Sequence, residues 1–383
     1  MWLREGILAN VLNSFYSLPM SLPLDLPPPS PSERLRARGA ASRPAGRFEP
    51  YARAPEHDGW DIPEEERLVR TEVSLERPRS VITRNSSPDV PFDRSLNPYR
   101  GCEHGCIYCF ARPSHGYLGL SAGLDFETRL IARPEAPRVL EEELRRKGYR
   151  VNPLAIGTNT DPYQPLERRM EIMRGVLEVL RAYRHPVTIV TRGAAVLRDL
   201  DLLAPMAEAG LAQVGISVTT LDAGLARAME PRAPSPPTRI RMIRELSRAG
   251  VPVRVMAAPM IPGLTDHELE AILTEARRAG ARAASMMPVR LPHEVAPLFA
   301  DWIERHHPGK AAKVLGRIRD MRGGRLNDPR FAHRMKGEGE MAELLQQRFA
   351  LSCKRLGLAH TLPELDCAQF RVPPRPGDQL ELF

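Results

Sequence analysis

Asn97-Pro-Tyr-Arg-Gly-Cys-Glu-His-Gly-Cys-Ile-Tyr-Cys-Phe110 places Cys102, Cys106 and Cys109 within eight positions, separated by three residues and then by two. Structural zinc and the usual cysteine-held iron–sulfur cluster both close at four protein ligands, so three thiolates leave a coordination position open for chemistry. A zinc knuckle completed by His104 or His115 is the competing reading of the same spacing. Disulfides are disfavoured, because the 383-residue chain has five cysteines and three of them share this one loop. Such a loop is a metal site in a reducing compartment.

Beyond the cysteines, short β-rich runs alternate with segments of helical composition, the pattern of a parallel α/β sheet. The expected strands are residues 152–158, 187–191, 212–219, 251–257 and 281–287, and a further short strand before Cys102 brings the β/α units to six. The expected helices are 138–149, 167–183, 197–210, 239–250 and 266–280, several ending at Gly as a helix C-terminus prefers. Six units cannot close an eight-stranded barrel but suffice for an open partial one. The pattern itself establishes a parallel sheet with crossover helices, which a doubly wound sheet also satisfies.

Either arrangement gathers ligands at the carboxyl ends of the strands, and polar residues stand at those points. Asn159 and Asp161 are placed to hydrogen-bond an amine, although Asp161-Pro162 also reads as a simple turn. Arg192 offers a two-pronged contact to a carboxylate, or a solvated surface charge. Ser217 and Thr219 carry hydroxyls suited to a ribose, or satisfied within the strand. Gly263, in Ala258-Pro-Met-Ile-Pro-Gly-Leu-Thr-Asp266, lets backbone approach a ligand, or simply makes a Pro-Gly turn. Arg290 and His293 follow the sixth strand.

At 42.8 kDa the chain is long enough for one large core with extensions. Residues 22–50 are Pro-, Arg-, Ser- and Ala-rich with too little apolar content to offset ordering, so residues 1–60 are expected to form a largely flexible arm. Residues 70–84 read as short extended lead-in segments. The core is assigned to residues 61–308 and a C-terminal extension to 309–383. No apolar run is long enough to span a membrane and the N-terminus makes a poor signal peptide, so a cytoplasmic location is expected.

The net charge of +8 and a pI near 9.5 permit an acidic partner such as nucleic acid. From Lys310 to Lys336, nine Lys or Arg face two Asp, a net +7. Arg317, Arg319, Arg322, Arg325, Arg330 and Arg334 are therefore candidates to track a phosphate backbone, with Phe331 and His333 to stack on bases, against the alternative of a solvated helix and turn.

The C-x3-C-x2-C spacing with Tyr108 before the last cysteine resembles the signature of the radical S-adenosylmethionine (SAM) superfamily. NPYRGCEHGCIYCFARPSH, GTNTDPYQPLE, VTTLDAGLARAMEPRAPSP and APMIPGLTD together resemble its spore photoproduct lyase-like branch, over roughly residues 86–358. The resemblance implies a partial (β/α)6 TIM-type barrel and a 4Fe-4S cluster ligated by Cys102, Cys106 and Cys109. SAM would chelate the fourth iron, beside Tyr108, with Asn159, Asp161, Arg192, Ser217 and Gly263 as cofactor contacts. It implies reductive cleavage of SAM to a 5′-deoxyadenosyl radical, an external electron donor of the flavodoxin or ferredoxin type, and lyase-like chemistry on nucleic acid. A non-catalytic iron–sulfur protein that binds nucleic acid or senses redox state is the alternative.

The sequence departs from that branch at one point. Spore photoproduct lyase uses a cysteine near its second strand to return a hydrogen atom, whereas no cysteine lies between Cys109 and Cys353 here. Tyr108, Tyr117 and Tyr163 are the candidate hydrogen donors instead, and Cys353 and Cys367 are expected to be structural.

Overall fold

The computed structural model describes residues 38–48 and 69–375. Its strands are β1 (Glu72–Leu75), β2 (Thr83–Arg84), β3 (Arg94–Leu96), β4 (Tyr99–Arg100), β5 (Arg129–Ala132), β6 (Leu154–Ile156), β7 (Val187–Thr191), β8 (Ala212–Ser217), β9 (Val253–Met260) and β10 (Ala283–Pro288). The main sheet runs β10-β9-β8-β7-β6-β3-β2, with β3 to β10 parallel and β2 antiparallel at the edge. Its six parallel strands follow chain order without reversal. A doubly wound sheet reverses its order at a switch point, so this is the wall of a partial TIM-type barrel. β1, β5 and β4 form a separate three-stranded sheet beside the cysteine loop.

Alternation along the strands assigns the faces. Leu154, Ile156, Val187, Ile189, Val214, Ile216, Val253 and Val255 are fully buried against the surrounding helices. Thr188, Val190, Gln213, Arg254 and Met256, on the opposite face, retain partial exposure. Each fully buried aliphatic side chain contributes about 1.5–3 kcal/mol, so the outer face holds the sheet together while the inner face is left for polar groups. The sheet edges are covered. β2 borders one side, and the segment after helix Gly339–Leu356 bridges Ala283 through Ala359 on the other, blunting a template for unwanted pairing.

Two helices differ from the pattern read in the sequence. The segment 167–183 is broken into Glu167–Met170 and Ile172–Ala182, with Glu171 at φ +51°. The cause is Glu167, whose buried carboxylate accepts from Met173 N–H at 3.1 Å, Arg198 at 2.8 Å and the Tyr99 hydroxyl, starting a new helix in place of continuing the old one. The segment 197–210 begins with a 3-10 turn, Ala194–Asp199, before helix Leu200–Glu208.

Within the stretch expected to be a flexible arm, residues 38–48 are docked on the fold, and the rest of that arm lies outside the described residues. Glu127 is fully buried and receives Gly39 N–H and Ala40 N–H, both at 2.9 Å, together with Arg112. Arg43 pairs with Asp125 at 2.8 Å and Arg47 with Glu294 at 2.9 Å. The segment thus runs from the helix Leu124–Thr128, beyond the cysteine loop, to Glu294 after β10.

Three of the six arginines of the basic extension are committed to protein partners. Arg322 is buried and donates to the carbonyls of Pro288, Val289, His333 and Arg334. Arg330 pairs with Asp328 and Glu338, Arg334 with Asp89, and His333 with Glu338. These cations fasten the extension to itself and to the core.

Candidate active site

The cysteine loop is irregular and its shape is fixed by a fully buried arginine. Arg112 donates to the carbonyls of Cys106 at 2.9 Å and Gly105 at 3.2 Å, and to those of Ala122 and Gly123. Gly105 sits at φ +68°, where a Cβ would press into the Glu127 carboxylate, so a side chain is excluded on both conformational and steric grounds. The loop after β6 grips the same turn. Asn97 Oδ1 accepts from Asn159 N–H at 3.1 Å, and Gln164 accepts from Glu103 N–H at 2.9 Å while donating to the Gly101 carbonyl.

Behind the cysteines lies a buried charge network that sequence reasoning missed. Glu230 is fully buried, and its Oε1 accepts from Arg192 Nη1 at 2.6 Å, Thr219 at 2.7 Å and the Tyr108 hydroxyl, while Oε2 meets Arg239. The same Arg192 Nη1 stands 2.9 Å from Cys106 Sγ and 2.8 Å from the Tyr108 hydroxyl. Burial would drive the Arg192 proton off, but the surrounding Cys106 and Asp161 raise its pKa above the ordinary arginine value. The guanidinium is therefore a fixed positive charge beside a cysteine sulfur. Glu230 stands within the quoted VTTLDAGLARAMEPRAPSP; a glutamate between a helix end and a proline was the available signal, but its partners lie 38 residues back and 9 ahead.

Both carboxylate oxygens of Asp161 are engaged by the protein. Oδ1 accepts from Thr191 at 2.6 Å and Tyr163 N–H at 2.9 Å, and Oδ2 from Arg192 N–H at 2.8 Å with His104 Nδ1 at 3.4 Å. Burial alone would raise its pKa, yet His104, Thr191 and the Arg192 N–H hold it down at about 2. Its role is to tie the loops after β6 and β7 to the cysteine turn. Ser217 ends β8, and the register pairing Thr191 with Ile216 sets it level with Arg192. Gly263, at φ +82°, faces Arg317 and Val314 of the helix Pro308–Asp320, so the turn and that helix account for the glycine.

The three tyrosines are scattered. Tyr108 is buried in the network just described; Tyr163 is buried with its hydroxyl on Asp199 at 3.1 Å; Tyr117 is exposed against Phe48. Cys353 is buried in the main core and Cys367 is partly buried in the C-terminal segment.

The thiols fit a cluster better than a single zinc ion. A tetrahedral zinc brings its sulfurs within about 3.8 Å of one another. Among the described residues, the group with three ligand atoms within 4.8 Å of one another is Asp328, His333 and Glu338, not the cysteines. Each histidine has one ring nitrogen beside a protein oxygen, His104 Nδ1 3.4 Å from Asp161 and His115 Nε2 2.9 Å from the Arg129 carbonyl, so the case against zinc rests on the sulfur spacing. Wider-spaced thiols with an open fourth corner suit a multi-iron cluster.

The radical SAM superfamily model matches residues 96–276. An uncharacterised protein of Mycobacterium tuberculosis is 37% identical over 234 residues, covering 61% of this chain and 68% of its own. Another, of Methanocaldococcus jannaschii, is 25% identical over 174 residues, 45% of this chain and 62% of its own. Spore photoproduct lyase complexed with dinucleoside spore photoproduct superposes with a TM-score of 0.54 at 14% identity, over 75% of this chain and 81% of that one. A variant of that lyase with bound AdoMet and the same dinucleoside gives 0.53 at 14% identity, over 75% and 80%. The lyase likeness is one of fold. The chain belongs to the radical SAM superfamily, and a 4Fe-4S cluster and SAM are its cofactors.

Proposed function

We propose that Cys102, Cys106 and Cys109 hold the 4Fe-4S cluster, and that the protein is an enzyme that cleaves SAM reductively and acts on a nucleic-acid substrate. When bound, cluster and SAM supply one-electron cleavage of the sulfonium carbon–sulfur bond to methionine and a 5′-deoxyadenosyl radical, the electron coming from an external flavodoxin- or ferredoxin-like donor. The carrying observation is the fixed cation at the cysteines, Arg192 on Cys106 Sγ with Glu230 behind it. Burial pushes the Cys106 thiol up to about 12; Arg192 opposes that shift and favours the thiolate that ligation requires. Ser217, level with Arg192, and Asn159, on the loop held by Asn97, are the proposed further contacts to SAM. Tyr108 is the hydrogen donor we favour, because its hydroxyl shares Arg192 Nη1 with Cys106.

The nucleic-acid part of the reading is supported by the charge of +8 and by the dinucleoside in the solved lyase complex. The protein lacks any described helix long and apolar enough to cross a membrane. The test is anaerobic reconstitution with iron and sulfide, then SAM and dithionite with quantification of 5′-deoxyadenosine, beside a Cys102→Ala/Cys106→Ala/Cys109→Ala control. Product formed with intact cysteines and absent from the control is the expected outcome. An intact cluster that yields no 5′-deoxyadenosine would favour the binding or sensing reading, and one equivalent of zinc in anaerobically purified protein would overturn the cluster.

A further inference from the structure

Arg290, just beyond β10, makes no hydrogen bond or ion pair among the described residues, and its Nε is buried without a partner. Its guanidinium lies 4.5 Å over the ring of Phe110, the residue that follows Cys109. Its electrostatic neighbours are Arg334, Cys109 and Asp89. Asp89 is already committed, accepting from Arg334 at its Nε and from Ala332 N–H at 2.7 Å. Arg322, also within electrostatic reach, is met by carbonyls, which satisfy hydrogen bonds without neutralising charge, and its neighbour Asp328 belongs to Arg330. Three guanidinium groups thus share one corner whose carboxylates are spent on other pairs. A largely desolvated cation whose nearby carboxylates are spent elsewhere is costly to keep, and an anion reaching this corner would offset that cost.

The same corner presents aromatic faces. Phe110 is 39% exposed and Phe331 is 56% exposed, each beneath an arginine, Arg290 at 4.5 Å and Arg334 at 4.7 Å. Phe331 is held outward because Ala332 takes a positive φ of 64° and is anchored to Asp89. An anion-seeking arginine between exposed rings matches a strand that alternates phosphates with bases, and bases offer free faces when they are unpaired. Resting on the nucleic-acid reading above, we propose that this corner beside Cys109 docks an unpaired nucleic-acid strand, with a phosphodiester on Arg290 and bases stacked on Phe110 and Phe331.

The test uses the full reconstituted chain and a fluorescein-labelled oligothymidylate of about a dozen nucleotides, with anisotropy read over a salt series and a duplex of equal length as competitor. Arg290→Met, which keeps the aliphatic stem, should weaken binding and lower the salt slope by about one. Phe331→Ala and Phe110→Ala should each weaken binding roughly ten-fold with the slope unchanged. Iron content and circular dichroism, unchanged in Arg290→Met and Phe331→Ala, exclude misfolding as the cause. If the wild type binds the strand and these variants bind it equally well, the corner is not the docking surface although the nucleic-acid reading stands. If duplex competes as well as single strand, the stacking role is lost. If the wild type binds neither, the nucleic-acid reading falls and this proposal with it.

Discussion

Glu230 balances two arginines in a fully buried position, and the consequence can be read in stability as well as in chemistry. With Arg192 and Arg239 both on its carboxylate, Glu230→Gln keeps the shape and removes the charge, leaving like charges together in a desolvated site. A loss of about 3 kcal/mol in urea unfolding is expected, with Glu230→Asp recovering part of it and Glu230→Gln also losing 5′-deoxyadenosine formation. An unchanged unfolding midpoint would mean that water already compensates the arginines. The three cysteines could be proposed as cluster ligands from the sequence because their spacing is local. Glu230 was not legible, because nothing in a linear pattern says which distant arginines will converge on one glutamate, nor that Thr191, Tyr163 N–H and Arg192 N–H will all meet on Asp161.

At the scale of elements, the segment 38–48 matters most. Its composition reads as disordered because it carries few apolar groups, and its order comes instead from the Glu127 carboxylate, almost ninety residues away. Gly39 passes so close to the cysteine turn that a Cβ would overlap the Gly105 carbonyl oxygen. Gly39→Ala should therefore lift the segment off the turn and uncover the cysteines. The expected result is faster loss of the reconstituted cluster's visible absorbance in air, several-fold above wild type, with little change in far-ultraviolet circular dichroism. Equal bleaching rates would show that the segment gives the site no protection.

The whole molecule shows how far periodicity reaches. The six parallel strands follow from alternating β-rich and helical runs, since each unit is local, and their sequential order follows when right-handed crossovers keep every helix on one face. Within the arginine-rich extension, charge in sequence does not disclose a tertiary partner: Arg322 serves carbonyls and Arg334 serves Asp89, while Arg319 and Arg325 remain exposed. The C-terminal segment also closes over the underside of the sheet, where Phe370 packs edge-on against His185 and Tyr149 lies 2.8 Å from its Nε2. Burial lowers the His185 pKa from 6.5 to about 4. Between those values the unfolded chain binds the proton and the folded one does not, so stability falls as pH drops from 6.5 towards 4, by up to about 3 kcal/mol from this residue. His185→Gln should flatten that part of the urea-stability profile relative to wild type; an identical slope would assign the acid sensitivity to other groups.

The segment 38–48 also imposes an order of events during biosynthesis. It is made before all of its partners, Asp125, Glu127 and Glu294, so its last attachment must wait until Glu294 has been made. The Gly39–Ala40 end can meet Glu127 as soon as that residue is made, whereas Arg47 waits for Glu294, so the segment settles from the cysteine turn outward.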